Sequence, residues 1–264
     1  MKKTIIDLLY PYSGPSPIVD VEVYSIPQKC NVYLVDLLSG ELSQCYISGT
    51  KLQTQQLRTG LSIREILKSV FPDRGSVMAG DFGEIFTLNY LSDYAHSEVH
   101  KVYKWRYKQD RNKPAPHTDV IVIFRDSDDT ASANDYVLSA EAKVKSTNGN
   151  FSPIEASIEG AANDKTGRLA RTLVWLKEQA IKHENKETIE YISRFTDQLL
   201  ETSFKKKYRA VSLIDMNYIG QELAKDICVP EISDDFRVIA FGIHNLKQLY
   251  EETYSSPVEQ DLHE

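Results

Sequence analysis

No apolar run in this 264-residue chain approaches the length of about 20 residues that a membrane-spanning helix needs. Cysteine is scarce: Cys30, Cys45 and Cys228 are odd in number and far apart, so they form neither a CxxC metal site nor a disulfide framework. That usage fits a reducing cytoplasm, the expected location. The opening stretch MKKTIIDLLYPYSGPSP has two lysines and a brief apolar patch, but Asp7 interrupts it and prolines follow, so no signal peptide is expected. Positive charge is not in excess either. A formal net charge of −7 excludes a generally basic nucleic-acid coat. There is no internal repeat, no GxSxG elbow and no convincing Cys–His nucleophile pair. In GAANDKTGR, Lys165 lacks the preceding glycine of a phosphate loop, so an ATP-driven step would need another polypeptide. His96 and His100 lie four apart, but no third zinc ligand is evident.

What remains is ordinary in amount and uneven in arrangement. With 41% hydrophobic and 26% charged residues, the chain has the composition of a soluble globular protein with one large core, or one main domain and a smaller attachment. Six basic residues (Lys101, Lys104, Arg106, Lys108, Arg111 and Lys113) crowd between Val99 and Lys113 against one acid, Asp110. KKKYR at 205–209 is a second basic cluster, and the tail beyond Leu249 is acidic.

In the first seventy-odd residues, NVYLVDL and SQCYISG have the composition of short strands, and SIREILKSVF that of a helix ending at Pro72. PDRGSVMAG is expected to be a loop. It marks a soft boundary between an N-terminal accessory region, 1–75, and a main domain, 76–264. Phe82, Phe86, Tyr90 and Tyr94 recur every fourth residue in the following segment, which predicts a helix buried over more than half its circumference. HKVYKWRYK is a charged strand candidate, and the β-branched run DVIVIFRD predicts a strand covered on both faces. YVLSAEAKVKS predicts the next strand. Helices are expected over about 154–182 and 187–204, then strands RAVSLIDM and FRVIAFGI and a terminal helix NLKQLYEET. The order implies an α/β fold: a central mixed β-sheet flanked by helices, with a smaller N-terminal α+β region.

On VLSAEAKVKS, Leu138, Ala140, Ala142 and Val144 share one parity and are expected to face the core, while Ser139, Glu141, Lys143 and Lys145 share the other. An E-x-K triplet arises by chance about once in a chain of this size, and Glu184–Asn185–Lys186 is such a decoy, in a stretch without strand character. A solvated ion pair is the plain reading of either. Asp119 gives the first triplet a partner, because it heads the apolar row Ile121, Ile123 on the preceding strand candidate. Adjacent strands would bring Asp119 and Glu141 together. Two close carboxylates repel unless a divalent cation lies between them, and the pair suits Mg²⁺, which takes one or two carboxylates plus water and phosphate oxygens. Lys143 would then orient or activate a water and stabilise charge on phosphate. Glu84 is open to two readings: a third acid of the site, or the N3 member of a capping box with Asp81 as N-cap.

GDFGE opening a helix, HTD starting a hydrophobic strand and EAK on the next strand together resemble the PD-(D/E)xK nuclease superfamily. More narrowly they resemble the HamA nuclease subunits of Hachiman antiphage systems, over about residues 75–176. The resemblance implies a restriction-endonuclease-like core and Mg²⁺-dependent cleavage of DNA, with Mn²⁺ as a substitute ion. It implies Asp119 and Glu141 as metal ligands, Lys143 as the catalytic lysine, Glu84 as the helix acid, and a helicase partner subunit that restrains and loads the nuclease. No Pro-Asp dipeptide is present; Pro116 lies three residues before Asp119, which leaves the role of His117 open. Lys145 and the helical row Lys165, Arg168 and Arg171 read equally as a solvated surface and as contacts to a nucleic-acid backbone. Trp105 and Trp175 are expected to pack rather than to stack on bases. Two rival functions follow from the same residues: a stand-alone sequence-specific restriction endonuclease, and a catalytically silent DNA-binding or adaptor protein of the same fold.

Overall fold

A computed structural model describes residues 3–16, 18, 20–95, 98–196, 204–233 and 235–259. Its strands are β1 (Tyr10–Pro11), β2 (Glu22–Ile26), β3 (His100–Lys101), β4 (Val120–Phe124), β5 (Tyr136–Lys145), β6 (Lys205–Asp215) and β7 (Phe236–Ile243). They form a seven-stranded sheet in the order β1-β2-β7-β6-β5-β4-β3. Its middle, β2, β7, β6 and β5, is parallel, while β1, β4 and β3 join antiparallel. The helices are α1 (Asn31–Tyr46), α2 (Gly49–Thr59), α3 (Ile63–Val70), α4 (Ser76–Tyr94), α5 (Pro153–Asn163), α6 (Leu169–Lys182), α7 (Lys186–Thr196), α8 (Met216–Leu223) and α9 (Leu246–Glu259). This is the α/β mixed sheet with flanking helices that the sequence implies.

Parallel strands need both faces covered, and two apolar clusters cover them. On one face α1, α3, α4 and α9 pack over Val211, Leu213 and Phe241. The four-residue aromatic row of α4 lands here, with the Phe86 and Tyr90 ring centroids 5.1 and 4.9 Å from that of Phe241. Each such fully buried aromatic contributes about 1.5–3 kcal/mol by leaving water. On the other face α5, α6, α7 and α8 bury Ile154, Leu173, Leu176 and Ile192 against Ile121, Ile123, Val137 and Val238.

Several local expectations give way to tertiary packing. NVYLVDL and SQCYISG are not strands; both fall mainly in α1, where Leu34, Leu38, Leu42 and Cys45 are buried on one stripe. The β-prone residues that misled the local reading, Val32 and Tyr33, lie on the exposed side. The expected loop at 72–80 ends at Gly75, whose φ of 151° favours glycine, and α4 starts at Ser76. HKVYKWRYK is a strand only over His100–Lys101; a 3₁₀ turn, Lys104–Tyr107, follows. The helix over 154–182 is divided by a kink within 164–168, where Gly167 has φ 124°. The predicted helical end beyond Thr196 and the His96 half of the His96/His100 pair lie outside the described residues. The first 75 residues supply β1, β2 and α1–α3 to the common sheet and core, with β2 paired in parallel to β7.

Candidate active site

The register of the β4–β5 pair sets the site. Val120 pairs with Ala140, so Asp119, one residue before β4, comes opposite Glu141. The Ala142 N–H donates to Asp119 Oδ2 at 3.1 Å, which fixes that carboxylate at the strand entrance. The Lys143 ammonium donates to Asp119 Oδ2 at 3.5 Å and also to Glu141 Oε1. Asp119, Glu141 and Lys143 are therefore one cluster. The decoy lysine, Lys186, begins α7, and Glu184 sits in the turn before it.

The polar side of β5 is enclosed rather than solvated, because α5 crosses it. Ser139, Glu141 and Lys145 are buried, and Lys143 is the partly open member of the row. Two glycines make the close crossings possible. A Cβ on Gly160 of α5 would overlap the Glu141 side chain, and one on Gly83 of α4 would overlap Val144. Gly83 lets α4 lie directly on β5, and its neighbour Glu84 then reaches the site.

Glu84 is not a capping residue, since α4 begins two turns earlier at Ser76. Its Oε2 accepts from Trp105 Nε1 at 3.0 Å and lies 3.3 Å from the Lys104 ammonium. Lys104, a residue the sequence reading gave no role, is buried. It donates to the Thr118 carbonyl at 2.9 Å and stands 3.8 Å from Asp119 Oδ1. Glu84 thus joins the strand acids through Lys104. Asp81 is likewise buried, paired with Lys108 at 2.7 Å and accepting from the Tyr46 hydroxyl at 2.6 Å.

Most of the basic cluster at 101–113 is consequently turned inward. Lys101 binds Asn89 and Glu41, Arg106 binds the Gln44 carbonyl, and Arg111 binds Asp73 and the Lys68 carbonyl. These cations neutralise and tether the acids of α4 and its surroundings. Trp105 packs as expected. Trp175 is half-buried, with its ring 5.0 Å from that of exposed His117.

Burial raises the Glu141 carboxyl above its usual range; Asp119 adds to the shift, and Lys143 and Arg168 oppose it. Burial raises Glu84 well above the glutamate range, with Asp119 and Asp81 reinforcing it against Lys104. Burial disfavours the Lys143 ammonium, but Asp119 and Glu141 outweigh it and the pKa is raised. Lys143 is therefore a cation at neutral pH. A cation beside two carboxylates can stabilise charge on a phosphate or orient a water.

Among the described residues no group of three or more His, Cys, Asp or Glu side chains is arranged to hold one metal ion. Mg²⁺ does not require three, since it keeps several waters and takes one or two carboxylates. Asp119 and Glu141, both in contact with the Lys143 ammonium, are the two carboxylates that could hold such an ion. Glu84, with its Oε2 engaged by Trp105 and Lys104, stands beside them rather than converging with them. The site opens into a cleft of about 980 Å³ lined by Arg74, Asp119, Lys143, Asn148, Phe151 and Lys247.

The four residues considered for nucleic-acid contact do not share one surface. Lys145 is buried, donating to the Gly149 and Phe151 carbonyls at 2.6 and 2.9 Å and to Glu222 at 2.7 Å. Arg168 turns inward to Glu141 and Asp164. Lys165 and Arg171 are exposed.

His100 is buried, stacked on Tyr191 with ring centroids 4.3 Å apart, and contacts Thr188 and Glu187. Burial lowers its pKa from 6.5, with Glu187 opposing. The unfolded chain binds the extra proton first. The stability from this neutral histidine is therefore present above pH 6.5 and lost as pH falls through the lowered folded value. Urea unfolding at a series of pH values is expected to show that loss, with a slope of at most about 1.4 kcal/mol per pH unit from one proton. His100→Phe should reduce the slope; an unchanged slope would remove His100 as its source.

Fold and site together define an α/β protein with a carboxylate–lysine cluster of which Asp119 and Lys143 line a cleft. A family model, HamA, matches residues 10–256, a span that includes every strand of the sheet, and the chain belongs to the HamA family. That membership associates it with Hachiman antiviral defence. A search of curated proteins finds no match.

Proposed function

We propose that this protein is a Mg²⁺-dependent nuclease that hydrolyses DNA phosphodiester bonds, and that it is the effector of a Hachiman system working with a helicase partner in the cytoplasm. The observation that carries the reading is the convergence of Asp119, Glu141 and Lys143 at the β4–β5 entrance, beside the buried helix acid Glu84. A module that only binds DNA has no use for two partly desolvated carboxylates facing one ammonium.

Asp119 and Glu141 would hold the ion, which supplies a polarised phosphoryl oxygen and an acidified water. The chain's own residues do the rest. The Ala142 N–H holds Asp119 in place, and Lys104 anchors the segment before it through the Thr118 carbonyl. Lys143, within reach of both carboxylates, would orient the attacking water and stabilise the developing charge on the phosphate. Arg74 and Lys247 at the cleft wall offer positive charge to the strand on either side of the scissile bond.

Purified protein, alone and with its helicase partner, is expected to nick supercoiled plasmid with Mg²⁺ and not with EDTA. Glu141→Ala and Lys143→Ala should each lower the rate at least about 100-fold, the scale of losing one preorganised charge-stabilising group. Wild-type cleavage in EDTA, or full phage protection by both variants in the complete system, would refute the reading.

A further inference from the structure

The sequence leaves Arg168 open between a solvated surface and a nucleic-acid contact, and its geometry is that of an internal brace. Its Nη2 donates to Glu141 Oε2 at 2.5 Å and to the Gly160 carbonyl at 2.9 Å, while Nε donates to Asp164 Oδ1 at 2.5 Å. The same Asp164 oxygen accepts from the Thr118 hydroxyl at 2.7 Å, and that hydroxyl also pairs with Thr172 at 2.9 Å. Thr118 immediately precedes Asp119. One guanidinium therefore reaches Glu141 directly and the Asp119 segment through a single buried carboxylate.

The local backbone is built around this connection. Asp164 and Arg168 bound the kink between α5 and α6, where Gly167 leaves helical geometry at φ 124°. Asp164 is fully buried, and its Oδ2 has no hydrogen-bond partner. An unpaired buried carboxylate oxygen lowers stability, so a segment that needed only to pack would gain from an apolar residue there. Glu141 is left with one cation on each oxygen, Lys143 on Oε1 and Arg168 on Oε2. A carboxylate oxygen has two acceptor directions, so each keeps one for a further ligand.

We infer that Arg168 is a positioning residue for the metal ligands: it orients Glu141 directly and steadies Asp119 through Asp164 and Thr118, rather than gripping the substrate backbone. This rests on the metal-dependent reading above. Residues that hold a metal's ligands typically change affinity for the ion by 10- to 100-fold when altered. A backbone contact would instead change DNA affinity and its salt dependence, with no effect on the ion.

The test is Mn²⁺ titration by calorimetry on full-length protein, with DNA affinity measured separately by fluorescence anisotropy in EDTA. Arg168→Gln is expected to weaken Mn²⁺ binding at least about tenfold and to leave DNA affinity in EDTA unchanged. Arg168→Lys keeps a charge for Asp164 but lacks the fork that reaches both acids, so it should give an intermediate loss. Thermal melts establish that each variant is folded; Asp164→Asn, which keeps a hydrogen-bonding group at that position, is the second route if Arg168→Gln is not. A role in packing alone would lower the melting temperature and leave Mn²⁺ affinity intact. Unchanged or tighter Mn²⁺ binding in Arg168→Gln overturns the inference, as does a fall in DNA affinity alone. Glu141→Ala separates the two levels. If it abolishes Mn²⁺ binding while Arg168→Gln does not weaken it, only the role of Arg168 fails; if wild type binds no Mn²⁺, the metal-dependent reading fails with it.

Discussion

Gly160→Ala is expected to reduce plasmid cleavage at least about 100-fold, although the substitution adds only one methyl group, on the helix that follows β5. The new Cβ would occupy the space of the Glu141 Cγ and Cδ atoms. Alanine is worth about 1 kcal/mol more than glycine inside a helix, whereas overpacking a closed site costs about 1–3 kcal/mol. The two effects partly cancel, so the folded protein should persist with a small net loss of stability. Activity has no such compensation. Either α5 lifts off β5 or Glu141 turns away from Asp119, and an error of about 1 Å in such a group can cost about 100-fold. Cleavage assays beside urea unfolding would check this; near-normal activity would mean that Glu141 does not act from its present position.

Lys104→Met should destabilise the protein by about 3–5 kcal/mol, the usual result of removing one partner from a buried ion pair. Lys104 and Glu84 are both nearly inaccessible, and Lys104 also holds the Thr118 carbonyl. A domain typically has about 5–15 kcal/mol in total, so much of the stability margin is at stake. Adding Glu84→Gln should recover part of the loss, because it removes the charge left alone. Chemical denaturation of the two single variants and the double variant measures the coupling directly. Additive losses would show that Lys104 and Glu84 act independently.

The contrast between these residues explains how far the sequence could be read. Strands β4 and β5 are legible because β-branched runs and strict alternation are local signals, and register then brings Asp119 to Glu141. α1 has the local look of a strand because Val32, Tyr33 and Val35 have strand propensity, while its buried Leu34–Leu38–Leu42 row is visible only over three turns. In sequence Lys104 is one of six basic residues crowded between Val99 and Lys113. Nothing within ten residues shows that it points at an acid on α4. Asp164 and Arg168 are harder still, since the site residues they reach, Thr118 and Glu141, lie more than twenty residues away in sequence. The one usable hint was glycine: Gly83 and Gly160 stand where close approach leaves no room for a side chain.

The sheet order also sets a schedule for synthesis. The residues of the proposed site lie between 84 and 143, and Arg168 follows soon after, yet β5 is flanked by β6, and β6 by β7 at residues 236–243. Strand β2, made among the first, must wait for β7 before it has a parallel neighbour. Pairings across such long separations form late in folding. A nascent chain on the ribosome therefore carries the β4–β5 pair and all its proposed catalytic groups well before β7 exists to give β6 its second neighbour and β2 its parallel one.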